Sequence, residues 1–188
     1  TKIVAEASLK SGTEKFIFIS TDKAVNPISV MGITKRIGEI ICQVLNQKNN
    51  TKFISVRFGN VLDSRGSVIP IFREQIKKGG PVQVTHPEMK RYFMVISEAC
   101  LLVMQAGAIG EGGEVFVLDM GEPIKILDLA KEMIRFSGLE PDKDIPIVFM
   151  GPRPGEKLFE EILTAEEGTL STQNQNIFRA KLSAADGL

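Results

Sequence analysis

Short apolar runs alternate along this chain with longer stretches whose apolar residues recur at helical spacing. Residues 2–11 (KIVAEASLKS) carry the helical period, and Gly12 closes it. Residues 16–20 (FIFIS) form a compact apolar run of the kind that makes a strand buried on both faces. Asn26-Pro27 marks a turn, Ser29 is placed to cap a helix, and the helical period resumes over 30–47. Residues 52–57 (KFISVR) predict a second strand, and a polar loop with Asn60, Asp63, Ser64, Arg65 and Gly66 follows. Further on, a helix is predicted over 68–78, stopped by Gly79 and Gly80. Short strands follow over 82–85 and 91–96, around the His86-Pro87 turn. A helix over 98–108, a strand over 115–118, a helix over 126–136 ended by Gly138, and a strand over 145–149 complete the pattern. After Thr164 the pattern fades into a polar tail.

Strands alternating with helices predict an α/β fold on a mostly parallel sheet. The alternation loosens after residue 65, which predicts three regions. Residues 1–65 form the second half of a sheet domain. Residues 66–165 form a small mixed α/β substrate-binding subdomain with some elements returning to the sheet. Residues 166–188 are a weakly patterned tail. A dinucleotide site in such a sheet has a Gly-rich turn directly after a strand. The GEGG at 110–113 lies between a helix and a strand instead and reads as a plain loop.

Composition narrows the function classes. The chain has 188 residues, equal numbers of acidic and basic side chains, no Trp and one Tyr, Tyr92. Zero formal charge provides no field for nucleic acid or an anionic membrane. So few aromatics beside basic residues argue against a base-stacking surface. No apolar run is long enough to span a bilayer. Cys42 and Cys100 lack metal-ligand spacing to each other or to the lone His86, and read as two reduced, buried thiols. No metal site is expected.

The candidate chemistry gathers at the end of the first strand. Ser20, Thr21, Asp22 and Lys23 follow the apolar run directly, at the carboxyl end where α/β sheets hold their ligands. An acid and a base on adjacent residues suit an elimination, one protonating a leaving hydroxyl and the other removing a carbon-bound proton. The same residues suit a capped turn in which Asp22 satisfies backbone amides. Met31 and Lys35 stand four apart, on one helix face. That spacing fits either a site or an amphipathic helix with Met31 in the core and Lys35 in solvent. Arg57, Asn60, Arg65, Arg91 and Arg153 lie at loops or strand ends, as a diphosphate clamp or as scattered surface groups. In GPRPGEKLFEE (151–161), Pro and Gly predict a rigid loop presenting Arg153 and Glu156, followed by an ordered run with Leu158, Phe159 and Ile162.

Three segments together carry a resemblance: STDKAVNPISVMGITKR, RFGNVLDSRGSVIPIFREQIKKGGPVQVTHPEMKRYFM and GPRPGEKLFEEI. They resemble the extended short-chain dehydrogenase/reductase superfamily. Within it, they are similar to the nucleotide-sugar 4,6-dehydratases of bacterial polysaccharide biosynthesis, the CapD-like family. The likeness covers residues 1 to 165. Large members of that family carry Met where the superfamily has the Tyr of its Tyr-x-x-x-Lys pair, as Met31 does here.

The resemblance implies a Rossmann-type doubly wound sheet, with residues 1–65 as the second half of its NAD(P)-binding domain, and an NAD- or NADP-dependent enzyme. Hydride leaves C4 of a UDP-N-acetyl-hexosamine, water is lost across C5 and C6, and hydride returns at C6. Thr21 would bond the C4 hydroxyl, Asp22 would protonate the departing C6 hydroxyl, and Lys23 would be the base at C5. Lys35 would hold the nicotinamide ribose, with Ser20 and Phe58 also at the cofactor. Asn60, Arg65, Ser67, Val68, Arg91, Arg153 and Glu156 would bind the nucleotide sugar. Met31 leaves the C4 proton without its usual acceptor, a task expected to fall to Asp22 or an ordered water.

The resemblance also places residue 1 inside the helix before the fifth sheet strand, with the Gly-rich loop upstream. The chain by itself is then expected to bind NAD poorly, turn over slowly and self-associate. The implied location is cytoplasmic, as a free protein or as the cytoplasmic part of an inner-membrane protein. A UDP-sugar 4-epimerase of the same superfamily and a non-catalytic nucleotide-sugar-binding module are the alternatives. The Asp22–Lys23 pair favours elimination.

Overall fold

The structure is a computed structural model that describes residues 1–47, 50–163 and 168–181. It divides into two compact units. The first comprises residues 1–59, 97–119 and 161–188, and the second residues 60–96 and 120–160.

The first unit is built on one sheet. Its strands are β1 (Lys15–Ile19), β2 (Lys52–Arg57), β7 (Val115–Leu118), β10 (Thr169–Ser171) and β11 (Ile177–Ala180). They lie in the order β1-β2-β7-β11-β10. β1, β2 and β7 are mutually parallel, as expected, with Phe16 opposite Phe53 and Val56 opposite Phe116. All of β7 and most of β2 are buried, which is why both read as continuous rather than alternating apolar runs.

The other two pairings are antiparallel: β11 runs against β7, and β10 against β11. The residues that read as a weakly patterned tail therefore supply two sheet strands, and the sheet is mixed. Local polar chemistry makes their turn. The Thr172 hydroxyl donates to the Ile177 carbonyl at 2.7 Å, and Asn174 Oδ1 accepts the Asn176 amide at 2.8 Å. β11 is short and its turn is rich in Gln and Asn, so sequence periodicity had little length in which to register.

Helices α1 (Lys2–Lys10) and α2 (Val30–Asn46) flank β1 and β2. Ala5, Phe18, Cys42 and Phe53 form the buried cluster there, joined by Leu9, Phe16 and Leu45. Ser29 caps α2, its hydroxyl accepting the Gly32 amide at 3.1 Å, as its sequence position predicts. Gly38 lies against the Phe18 ring, where a Cβ would overlap the aromatic carbons. Helix α4 (Ile96–Ile109) carries Cys100, which is exposed and corrects the expectation of two buried thiols. Cys42 is buried, and burial pushes its thiol up to about 11, so it stays protonated and unreactive.

The second unit contains three two-stranded pairings. β3 (Asn60–Val61) runs parallel to β6 (Phe93–Met94), and β4 (Val82–Val84) parallel to β9 (Ile147–Phe149). β5 (Lys90–Arg91) runs antiparallel to β8 (Ile124–Lys125). Helices α3 (Val68–Lys77) and α5 (Ile126–Phe136) pack over this frame. Phe72, Ile76, Val82, Val84, Met89, Ile126, Ala130, Ile134 and Ile145 form its core. The strand expected over 91–96 is interrupted at Tyr92, and α4 already begins at Ile96.

β11 is expected to be as necessary to the sheet as the strands that the pattern makes obvious. Ile177 is fully buried on it. Ile177→Ala should cost about 2–5 kcal/mol, the range for deleting buried aliphatic atoms, measured as a lower urea midpoint at unchanged slope. A loss within a few tenths of a kcal/mol would mean that β11 is a dispensable edge.

Candidate active site

The turn after β1 brings hydroxyl, carboxylate and ammonium into direct contact. The Ser20 amide continues the ladder by donating to the Val56 carbonyl at 2.8 Å, and the Asp22 amide donates to the Phe58 carbonyl at 3.1 Å. A short 3-10 turn, Asp22–Ala24, follows, with Thr21 accepting the Lys23 amide as its cap. The capping role proposed for Asp22 thus belongs to Thr21, and the Asp22 carboxylate is left to side chains. Its Oδ1 accepts from the Thr21 hydroxyl at 2.8 Å and from Lys23 Nζ at 2.9 Å. Asp22 is 0% exposed, and its Oδ2 is buried without a hydrogen-bond partner among the described residues. A buried carboxylate oxygen with open acceptor capacity is costly unless something else meets it.

Helix α2 approaches this turn closely because Gly32 permits it. A Cβ at Gly32 would overlap the Lys23 carbonyl oxygen, so the helix backbone rests directly on the turn. With Gly38 against Phe18, two glycines flank Lys35 and bring it onto the strand end. Lys35 Nζ donates to the Ile19 carbonyl at 2.9 Å and stands 5.2 Å from the centroid of the Phe18 ring. Met31 is 46% exposed. This reverses the amphipathic alternative: the thioether faces solvent and the lysine is tied to the strand.

Behind the turn lies a group that the sequence reading did not single out. Glu39, on α2, is 0% exposed. It accepts from Ser20 Oγ at 2.6 Å, from Arg57 Nε and Nη2 at 2.8 Å each, and from Arg36 Nη1 at 3.0 Å. Burial would raise its carboxyl. The bonds and charge of Arg57, with the bonds from Ser20 and Arg36, outweigh burial and hold it below the ordinary 4.5. Arg57 is 1% exposed and engaged with Glu39 through two nitrogens, which removes it from the set of diphosphate-binding candidates. Two signals for this pair were present in the sequence. Glu39 stands on the buried stripe of α2 with Gly32, Gly38 and Cys42, and Arg57 ends a strand that is otherwise apolar.

In the second unit, Arg91, Arg153 and Glu156 come together. Arg91 is buried, and its guanidinium donates to the carbonyls of Lys90, Lys157 and Leu158 at 2.7, 2.8 and 3.1 Å. It also meets Glu156 Oε1 at 3.4 Å and Glu160 Oε1 at 3.9 Å. The 153–156 segment is a tight turn: the Glu156 amide donates to the Arg153 carbonyl at 3.0 Å, and Glu156 Oε2 accepts the Arg153 amide at 3.1 Å. Arg91 is thereby committed to holding the loop, while the Arg153 side chain is exposed. Asn60 opens β3 with its amide on the Tyr92 carbonyl at 3.0 Å. Arg65 is exposed, Ser67 occupies the cap position of α3 with its hydroxyl buried, and Val68 is the first residue of that helix.

The GEGG loop is a closed turn, as expected. The amides of Glu111 and Gly112 donate to the Glu114 carboxylate at 2.8 and 2.7 Å, leaving those donors unavailable to a phosphate. Among the described residues, no helix is long and apolar enough to cross a membrane.

A mixed α/β sheet, parallel through β1, β2 and β7 and flanked by helices, with polar groups at the strand ends, is a Rossmann-type arrangement. The family model described as "Polysaccharide biosynthesis protein" matches residues 1–182, and the chain belongs to that family. It is 60% identical over 183 residues to the capsular polysaccharide biosynthesis protein CapD of Staphylococcus aureus, covering 97% of this chain and 30% of that protein. It is 33% identical over 186 residues to a UDP-glucose 4-epimerase of Rickettsia bellii, covering 97% of this chain and 53% of that enzyme.

Among solved structures it is similar to Pen from Bacillus thuringiensis. The TM-score is 0.85 at 35% identity, over 94% of this chain and 55% of that one. The fold is also that of the dTDP-glucose 4,6-dehydratase DesIV of Streptomyces venezuelae, solved with NAD and TYD bound. There the TM-score is 0.78 at 16% identity, over 99% of this chain and 61% of that one. The chain spans about a third to three fifths of the length of these proteins.

Two outcomes follow from this geometry. Gly32→Ala must push α2 off the Lys23 carbonyl, and is expected to cost about 1–3 kcal/mol, read from thermal or urea unfolding. Unchanged stability would show that the close approach is not required. Glu39, held below 4.5, stabilises the fold fully above that pH and loses its contribution as pH falls through its folded value. The stability gap between wild type and Glu39→Gln should therefore narrow progressively below pH 4.5. A gap that stays constant on acidification would contradict the assignment.

Proposed function

We propose that this chain carries the acid–base and substrate-binding residues of a nucleotide-sugar 4,6-dehydratase acting on a UDP-N-acetylglucosamine-like substrate in polysaccharide biosynthesis. The observation that supports this most is the Thr21–Asp22–Lys23 cluster, three different proton-handling groups in mutual contact at a strand's carboxyl end. NAD or NADP is the cofactor this reading requires, and the lysine fits it. Lys35 commits one hydrogen bond to the Ile19 carbonyl, and an ammonium has three donors, which leaves capacity for ribose hydroxyls. Ser20 and Phe58 adjoin the same strand end. A nicotinamide held there would supply the hydride chemistry that the reaction needs at C4 and C6.

The chain's own residues manage the protons. The Thr21 hydroxyl meets the C4 hydroxyl and relays its proton along the 2.8 Å bond to Asp22 Oδ1. This route needs no group at Met31. Asp22 then delivers that proton to the departing C6 hydroxyl, which leaves as water. Lys23 is the base at C5, removing the C5 proton and giving it back to C5 when C6 is reduced. In the second unit, Arg153 offers its guanidinium to the diphosphate from a loop that Arg91 and Glu156 hold. Asn60, Arg65, Ser67 and Val68 supply the remaining nucleotide-sugar contacts. A homo-oligomeric, cytoplasmic enzyme domain is the form this reading implies.

The 33% identity to a UDP-glucose 4-epimerase supports a second reading, oxidation and re-reduction at C4 alone. Product mass separates the two. The protein made at the length of its CapD-type relatives, incubated with UDP-N-acetylglucosamine and NAD, should give a product lighter by one water. An unchanged mass with an inverted C4 would establish the epimerase, and no turnover with either cofactor would refute both. Asp22→Asn should lower dehydration by at least about 100-fold, within the range for removing a general acid–base. It should also abolish formation of enzyme-bound reduced cofactor, seen by its absorbance. Reduced cofactor that still accumulates would show that the C4 proton does not travel through Asp22.

A further inference from the structure

The proposed chemistry leaves the buried group behind the turn without a task. Glu39 stands one helical turn after Lys35, on the same side of α2. Its carboxylate reaches Ser20, the residue immediately before Thr21, and Arg57, which sits in β2 between Val56 and Phe58. The carbonyls of those two neighbours hold the amides of Ser20 and Asp22. One carboxylate thus connects the helix that carries Lys35, the turn that carries Asp22 and Lys23, and the strand that anchors the turn. The connection is stiff, because a fully buried carboxylate cannot move without breaking its charge-assisted bonds to Arg57.

We propose that Glu39, acting through the Ser20 hydroxyl, is a positioning residue that sets the placement of Asp22 and Lys23 relative to Lys35. The proposal rests on the dehydratase reading for its catalytic consequence, and on the hydrogen-bond network alone for its structural one. A purely stabilising ion pair would need only Glu39, Arg57 and Arg36. The 2.6 Å bond from Ser20 goes beyond that pair, because it carries the network to the catalytic turn.

Ser20→Ala isolates that arm, because it leaves the Glu39–Arg57 and Glu39–Arg36 contacts in place. In the protein at the length of its relatives, kcat is expected to fall about 10- to 100-fold, the scale of lost orientation. KM for the nucleotide sugar and the thermal midpoint should stay unchanged. Amide hydrogen exchange should quicken at residues 22–25 and not at 115–118. Ser55→Ala, at a buried β2 serine outside the network, should change neither kcat nor exchange at 22–25.

Unchanged exchange at 22–25 in Ser20→Ala overturns the proposal whatever the activity does. So does a fall in thermal stability large enough to explain the lost activity, or a raised KM with kcat intact. If the wild-type protein shows no dehydration, the dehydratase reading fails separately, and the exchange measurement still decides the positioning role.

Discussion

A carboxylate without contact to water holds three elements of this protein in register. Glu39 draws a guanidinium from β2, a hydroxyl from the end of β1 and a second guanidinium from its own helix. Removing one partner from such a buried pair typically costs about 3–5 kcal/mol, because the remaining charge has nowhere to go. The same cost makes the arrangement specific. Helix α2 can rotate or slide only by breaking it, so the position of Lys35 follows from a bond made one turn further along.

Close packing completes what the ion pair begins. Two glycines of α2 let backbone meet backbone at Lys23 and let an aromatic ring meet backbone at Phe18. Lys35 is tied between them to the Ile19 carbonyl. The helix thereby forms one wall of the strand end, and Met31, which cannot exchange a proton, lies exposed at its start. The groups able to exchange protons stand at the turn, where Thr21 and Lys23 share one oxygen of Asp22. The second oxygen of Asp22 is buried and unmet among the described residues, a costly state that a site retains when a ligand is to meet it.

Much of the fold was legible because it depends on local rules. β1, β2 and β7 announced themselves as continuous apolar runs, and α2 by its Ser29 cap and helical period. The tail was not legible: β11 is stabilised by pairing with β7, some sixty residues away in sequence, and β10 by pairing with β11, and their own residues carry little pattern. At the site, the adjacency of Thr21, Asp22 and Lys23 was visible directly. Arg57 was misjudged because an arginine at a strand end looks the same whether it meets a ligand or a buried carboxylate. Glu39 went unnoticed because one acidic residue on a helix is ordinary until its burial is known.

The sequence by itself determined which chemical groups this protein can bring to a strand end: a hydroxyl, an acid and a base in succession, and a lysine one turn into the next helix. Those follow from covalent neighbours and helical spacing, which are local. Tertiary structure decided which charges are spent on architecture and which remain for chemistry. It buried Arg57 against Glu39, committed Arg91 to the carbonyls of a loop, and left Arg153 exposed. That division depends on burial and on partners distant in sequence, because a charge taken out of water must find its counterpart wherever the fold places it.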